Sequence, residues 1–168
     1  HSVAYGLVSY VSAYLKYHYP VEFYAALMTA ETKKSGSDSN FTAYLSDCYQ
    51  RGINILPPDI NESGLGFTAI EGKEIRYGLT SINHVGGKAL KSVLENRPFT
   101  SFKDFYRNID TRLVNKRVVE QLIKAGAFDK FNNNRNELID DYYRLRNVNP
   151  NQMALFASEE INKEVKTT

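Results

Sequence analysis

The feature that most restricts the fold of this chain is the run Ile53-Asn54-Ile55-Leu56-Pro57-Pro58-Asp59, where a short β-prone stretch meets two adjacent prolines. Neither proline has an N–H for a helix, and each drives the residue before it into extended backbone, so no helix crosses this point. Upstream, Val3, Leu7, Tyr10, Val11, Tyr14 and Leu15 recur at three- and four-residue spacing and predict a helix from Ser2, as its cap, to about His18. Pro20 suits the first turn of a second helix, with Phe23, Leu27 and Ala30 as its buried face. A polar stretch then leads, with Ser37 or Asp38 as cap, into a third helix that reaches Gln50 and stops at Gly52. Downstream, Phe67 to Ile70 and Ile75 to Tyr77 flank Gly72 as a small hairpin. Short helices are expected at about 79–84, 87–96, 101–108, 115–124 and 134–146. After Asn147 the sequence turns Asn-rich and then Glu/Lys-rich, with Pro150 blocking helix, which predicts a flexible tail.

The expected fold is therefore mainly α with one small β-hairpin, in three parts: 1–56, 57–147 and 148–168. A chain of 168 residues suffices for one ordinary domain or two small ones. No run approaches the roughly 18 apolar residues of a membrane span, and no secretory leader opens the chain, so a soluble protein without a membrane partner is expected. Cys48 is the only cysteine, which rules out an internal disulfide and a thiolate metal cluster and fits a reducing cytoplasm. The first residue is His1 and helical pattern begins at once, which points to a piece of something larger.

Charge is segregated. Residues 73–130 hold twelve Lys and Arg against six Asp and Glu, a surplus of +6, and the remainder carries −4. Such a distribution favours a polyanionic partner for the middle of the chain, although solvated helix faces give the same count.

Three constellations carry possible chemistry. In Ile82-Asn83-His84-Val85-Gly86-Gly87-Lys88-Ala89-Leu90, a helix, a glycine turn and a second helix are expected. Glycine allows close backbone approach, and the N–H groups opening the second helix favour an anion such as phosphate. His84, Val85, Gly86, Gly87, Lys88 and Lys91 are the candidate contacts, and a plain helix cap followed by a new helix is the competing reading. In Asn115 to Asp129, Asn115 is a candidate N-cap, Val118, Val119, Leu122 and Ile123 form a buried stripe, and Gly126 is placed to stop the helix. It resembles a second hairpin, with Lys116, Arg117, Lys124 and Gly126 as candidate contacts, and exposed basic residues there are as often solvated charge. The third is Gln152-Met153-Ala154-Leu155-Phe156, an apolar cluster in a polar tail. It reads as a peptide that folds onto a partner's pocket, or as a last helical turn packed on its own domain.

No set of carboxylates lies in a strand context suited to two-metal phosphoryl transfer, and P-loop and GxSxG patterns are missing. His1, His18 and His84 are scattered without ligand spacing. No catalytic or metal site is expected.

At these residues the chain resembles the alpha subunits of bacterial DNA polymerase III, the C-family replicative polymerases, over nearly its whole length. His1-Ser2-Val3-Ala4-Tyr5-Gly6-Leu7 through His18-Tyr19-Pro20-Val21-Glu22-Phe23 is similar to the family's late fingers helices. Ile55-Leu56-Pro57-Pro58-Asp59-Ile60-Asn61 is similar to the link that follows. Ile75-Arg76-Tyr77-Gly78-Leu79 with Val85-Gly86 resembles the entry to its helix-hairpin-helix pair, Asn115 to Asp129 the second hairpin, and Gln152 to Phe156 the internal clamp-binding motif.

The resemblance implies that the hairpins hold duplex or primer-template DNA by its phosphates, that His1 lies near the nucleotide, and that Gln152, Met153, Leu155 and Phe156 dock on the sliding clamp. It further implies that the rest of the polymerase chain is a partner. The catalytic palm, with its magnesium, lies upstream in the family, so this piece needs no cofactor and is not an enzyme by itself. One departure is visible: the family's Gly-hydrophobic-Gly becomes His84-Val85-Gly86. A protein-interaction module that binds only the clamp is the alternative, and a free-standing nuclease or glycosylase is disfavoured because the usual Lys and Asp contexts are not evident.

Overall fold

The computed structural model describes residues 1–34 and 39–148. Ser37 and Asp38, expected as a cap, and Gln152, Met153, Leu155 and Phe156, expected on the clamp, lie outside the described residues. The chain divides into a unit of residues His1–Asn133 and a second that begins at Asn134.

The first unit opens with α1 (Ser2–His18), α2 (Pro20–Glu31) and α3 (Phe41–Gln50). Pro20 begins α2 as the sequence requires, whereas His1 stands at the N-cap of α1 and Asn40 at that of α3. Polar side-chain caps were expected for α1 and α3, and at none of the three helices does the N-cap side chain make a capping bond. The buried side of α2 is Tyr24, Ala25 and Met28; Ala30 is exposed and Phe23 and Leu27 are half-buried. Tyr24 can be buried because its hydroxyl donates to Asp47 Oδ2 of α3 at 3.2 Å. No residue of α1 is buried, so its apolar stripe faces outward: Val3 is 85% exposed and Tyr17 81%.

Three strands follow: β1 (Asn54–Leu56), β2 (Thr68–Ile70) and β3 (Glu74–Arg76), ordered β1-β3-β2. The expected hairpin is β2 with β3, antiparallel, turned at Gly72 (φ +83°) and Lys73 (φ +59°). β1 adds to it in parallel, Ile55 facing Ile75, so the β-prone run before the prolines is a strand of the same sheet. Central Ile75 joins Tyr24, Ala25, Met28, Cys48, Ile53 and Phe67 in one core. Burial, chiefly, pushes the Cys48 thiol up from its ordinary range, which keeps it unreactive. Thr29 ties α2 to the sheet, its Oγ1 accepting from Phe67 N at 2.9 Å while donating to Ala25 O at 2.8 Å.

The two prolines begin a strap, residues 57–63, that reaches distant parts of the unit. Asn61 exchanges both amide bonds with the Phe99 backbone, at 2.8 and 2.7 Å. Ile60 N donates to Ala127 O at 2.9 Å, and Ser63 Oγ donates to Tyr77 O at 2.8 Å. After the sheet come a short 3-10 turn (Leu79–Ser81), α4 (Gly87–Asn96), α5 (Phe102–Asn108) and α6 (Lys116–Lys124). Phe105 and Phe128 stack edge to face with centroids 4.7 Å apart, and Phe99 and Phe102 each join them in T-shaped contact. The second unit carries α7 (Arg135–Asn147), capped by Asn134 Oδ1 accepting from Glu137 N at 3.1 Å.

Glu31 closes α2 with a carboxylate only 4% exposed. Oε1 accepts from Lys34 Nζ at 2.8 Å and Oε2 from Asn40 N at 2.8 Å, which bridges α2 to the start of α3. The Lys34 bond first, and the Asn40 N–H second, hold its pKa below the ordinary 4.5. Its stabilisation is therefore present above pH 4.5 and lost as pH falls through the lowered folded value. The urea midpoint of the wild type should fall on acidification below that value, and in Glu31→Gln the fall should be smaller; equal acid slopes would remove Glu31 from the account.

Candidate nucleic-acid interface

The first hairpin is anchored at its entry. Leu79 N and Thr80 N donate to Gly64 O and Leu65 O, both at 3.0 Å. The expected helix over 79–84 is a single 3-10 turn, which ends because Ile82 is extended (φ −80°, ψ 125°). Ile82 and Val85, each 7% exposed, pin the following loop to the core. Between them His84 takes φ +63°, a conformation rare for a residue with a Cβ but less so for histidine.

Gly86 is the N-cap of α4 in extended backbone and offers no side chain to the first turn. A Cβ at Gly86 or Gly87 would meet nothing within 4 Å, so the glycines are not demanded by neighbouring protein. They leave the opening N–H groups of α4 accessible, where the helix dipole favours an anion.

The second hairpin repeats this pattern with other residues. Asp110 O accepts from Leu113 N and Val114 N at 3.0 and 2.8 Å, Val114 is buried, and α6 follows. Val85-Gly86-Gly87-Lys88-Ala89-Leu90 corresponds to Val114-Asn115-Lys116-Arg117-Val118-Val119: a buried valine, an extended cap, a basic residue at the second helical position, then two buried residues. The halves differ at the cap. Asn115 Oδ1 accepts from Val118 N at 3.1 Å, so α6 occupies its own first turn while α4 does not.

The far end of α6 closes as the sequence predicts. Gly126 has φ +89°, its N–H donates to Ile123 O at 3.0 Å, and Ala127 N reaches back to Leu122 O at 3.0 Å. This is a Schellman stop. Gly126 is buried and its N–H is spent, which accounts for the glycine without a ligand.

Cations surround the two hairpins. Lys88, Lys91 and Arg107 line one cleft of about 600 Å³ between α4 and the end of α5. Lys124 lines a second of about 370 Å³ with Gln121 and with Ser81, Ile82 and Asn83 of the first hairpin. Lys91 pairs with Glu95 at 3.7 Å, an exposed contact of small energetic worth, and Lys116 with half-buried Glu120 at 3.8 Å. Arg112, in the second hairpin, is committed to Asp110 by two bonds of 3.0 and 3.1 Å, and it holds the Asp110 carboxyl below its ordinary range. Arg117 Nη2 lies 2.9 Å from His84 Nε2 and joins the start of α6 to the turn before α4.

The structure thus brings His84, Gly86, Gly87, Lys88 and Lys91 together, places Lys116, Arg117 and Lys124 along α6, and uses Val85 as an anchor. His1 stands at the exposed start of α1, its carbonyl accepting from Tyr5 N at 3.1 Å. Sequence reading found the second hairpin but missed the pairing of His84 with Arg117 and the residue-by-residue correspondence of the two turns. Only the common placement of basic and apolar residues after Val85 and Val114 signals that correspondence in the sequence. Among the described residues, no group of three or more His, Cys, Asp or Glu is placed to hold a metal ion. Nor is any described helix long and apolar enough to cross a membrane.

A family model described as the helix-hairpin-helix motif matches residues 52–138. The DNA polymerase III subunit alpha of Mycobacterium tuberculosis is 46% identical over 143 residues, 82% of this chain and 12% of that protein. The corresponding subunit of Thermus aquaticus is 44% identical over 135 residues, 78% of this chain and 11% of its own length. That of Deinococcus radiodurans is 37% identical over 179 residues, covering 98% of this chain and 13% of the subunit. The chain therefore spans about an eighth of the length of the curated relatives it matches. With the motif covering more than half of its residues, the chain belongs to the helix-hairpin-helix family, in a stretch of sequence similar to DNA polymerase III alpha subunits.

Proposed function

We propose that this chain is a non-catalytic part of a cytoplasmic replicative polymerase that holds duplex DNA by its phosphates. The observation that carries the reading is the open first turn of α4, with no capping side chain, glycines facing free space, and Lys88 and Lys91 on the same helix. Lys116, Arg117 and Lys124 extend the positive surface along α6. Phosphate contacts of this kind position a protein on DNA without reading sequence. The polymerisation centre and its magnesium belong elsewhere in the parent chain. The outward apolar stripe of α1 is the surface on which the rest of that chain packs, and the region over 1–56 acts as part of the fingers, with His1 near the nucleotide.

Fluorescence anisotropy of a labelled primer-template duplex tests this. Binding should weaken steeply with salt, and log-log plots should have a slope of about −0.9 for each phosphate neutralised. A chain ending at Asn147 should bind as the full chain does. No binding at low salt would refute the DNA reading and leave the clamp-binding alternative. In the same proposal Gln152, Met153, Leu155 and Phe156 dock in the sliding clamp's apolar cleft. Alanine at Gln152, Leu155 and Phe156 should abolish clamp binding with DNA affinity unchanged, and retained clamp binding would reject that assignment.

A further inference from the structure

We propose that His84 is a positioning residue for Arg117, so that the two hairpins grip the phosphate backbone as a coupled pair. The inference rests on the duplex-binding reading above and adds a role to a residue at which this chain departs from the Gly-hydrophobic-Gly pattern. Two observations carry it. His84 is exposed and holds φ +63°, where a glycine would be unstrained, so the fold itself gives no reason for a side chain there. That side chain nevertheless spans 33 residues of sequence to place Nε2 at 2.9 Å from Arg117 Nη2.

Arginine stays protonated, so its guanidinium must donate and the ring nitrogen must accept, which puts the ring proton on Nδ1. One of the five guanidinium N–H groups is used in this way, and the remainder are available for phosphate oxygens. An exposed arginine otherwise samples many rotamers and gives up that freedom when it binds. The imidazole imposes the restriction before DNA arrives. Because His84 stands three residues ahead of Gly87, the first of α4, and Arg117 is the second residue of α6, the bond fixes the guanidinium beside the turn that leads to the open helix end.

A double-mutant cycle on the whole chain decides the matter: wild type, His84→Gly, Arg117→Ala and the double variant, each checked by circular dichroism and titrated against a labelled primer-template duplex. His84→Gly relieves the backbone and should fold at least as well as the wild type. It should nevertheless bind DNA about three- to ten-fold more weakly. Arg117→Ala should lose binding too, and adding His84→Gly to it should cost nothing further. His84→Asn, whose residue tolerates positive φ and presents an amide oxygen, should recover part of the loss. If His84→Gly binds as tightly as the wild type, or if the two single losses multiply in the double variant, His84 does not position Arg117. A wild type without salt-sensitive binding would instead overturn the duplex-binding reading and this inference with it.

Discussion

Gly86→Asp should fold more stably than the wild type and bind a primer-template duplex at least about ten-fold more weakly. The opposite signs follow from one position. Gly86 has φ −87° and ψ 163°, which any residue adopts, and a Cβ there meets nothing within 4 Å. An aspartate at the N-cap accepts from the first-turn N–H groups, as Asn115 does on α6, and its charge suits the helix dipole, for a gain of about 0.5 to 1 kcal/mol. Those N–H groups are then no longer offered to phosphate, and a like charge stands where the phosphate would lie. Losing a hydrogen bond to a charged group costs about 1.5 to 3 kcal/mol. Urea melts and anisotropy on the same preparation check both halves. Tight DNA binding by the aspartate variant would show that the open end of α4 is not the grip.

Gly78→Ala should lower stability by about 3 kcal/mol, at the upper end of overpacking costs. The new Cβ would stand 2.5 Å from the Gly66 carbonyl carbon, 2.8 Å from Leu65 O and 2.9 Å from Gly66 Cα. All three atoms are backbone, so no side chain can swing aside. Nor can the segment retreat easily. Phe67 N is held by Thr29 Oγ1, and Leu65 O and Gly64 O accept from Thr80 N and Leu79 N. Gly78 has φ −79°, so the cost is steric and owes nothing to a left-handed backbone. Gly86→Ala, with open space around it, is the matched control and should cost far less. A loss below about 1 kcal/mol in Gly78→Ala would mean that the two glycine segments slide apart under load.

The sequence was most legible where a boundary depends on one residue's chemistry. Pro20 at the start of α2, Asn115 at the cap of α6 and Gly126 at its stop act locally, and all three are found as expected. It was least legible where partners lie far apart in the chain. The parallel pairing of β1 with β3 joins residues 54–56 to 74–76, which no local pattern announces. Helix 79–84 stops after one turn because Ile82 is extended with its side chain buried in the core, a tertiary demand that no local pattern announces. The face expected for α2, Phe23, Leu27 and Ala30, left out Tyr24, whose burial depends on a distant partner, the Asp47 that satisfies its hydroxyl. Apolar spacing identified α1 as a helix but carried no information on what covers it. For the candidate interface, glycines and cations were legible one by one, whereas their union through His84 and Arg117 depends on a tertiary contact.

The strap has a kinetic consequence. Its bonds from Asn61 to Phe99 close 38 residues, and that from Ile60 to Ala127 closes a longer stretch still. Closure entropy for such loops must be met before the bonds return anything, while α4, α5 and α6 require only neighbours in sequence. We expect the strap to form after the folding barrier has been crossed, in which case Asn61→Ala should speed unfolding and leave the refolding rate nearly unchanged. In a stopped-flow chevron only the unfolding limb should move. On that result, the prolines that prevent a helix at the middle of the chain also begin the segment that sets how long the folded unit lasts.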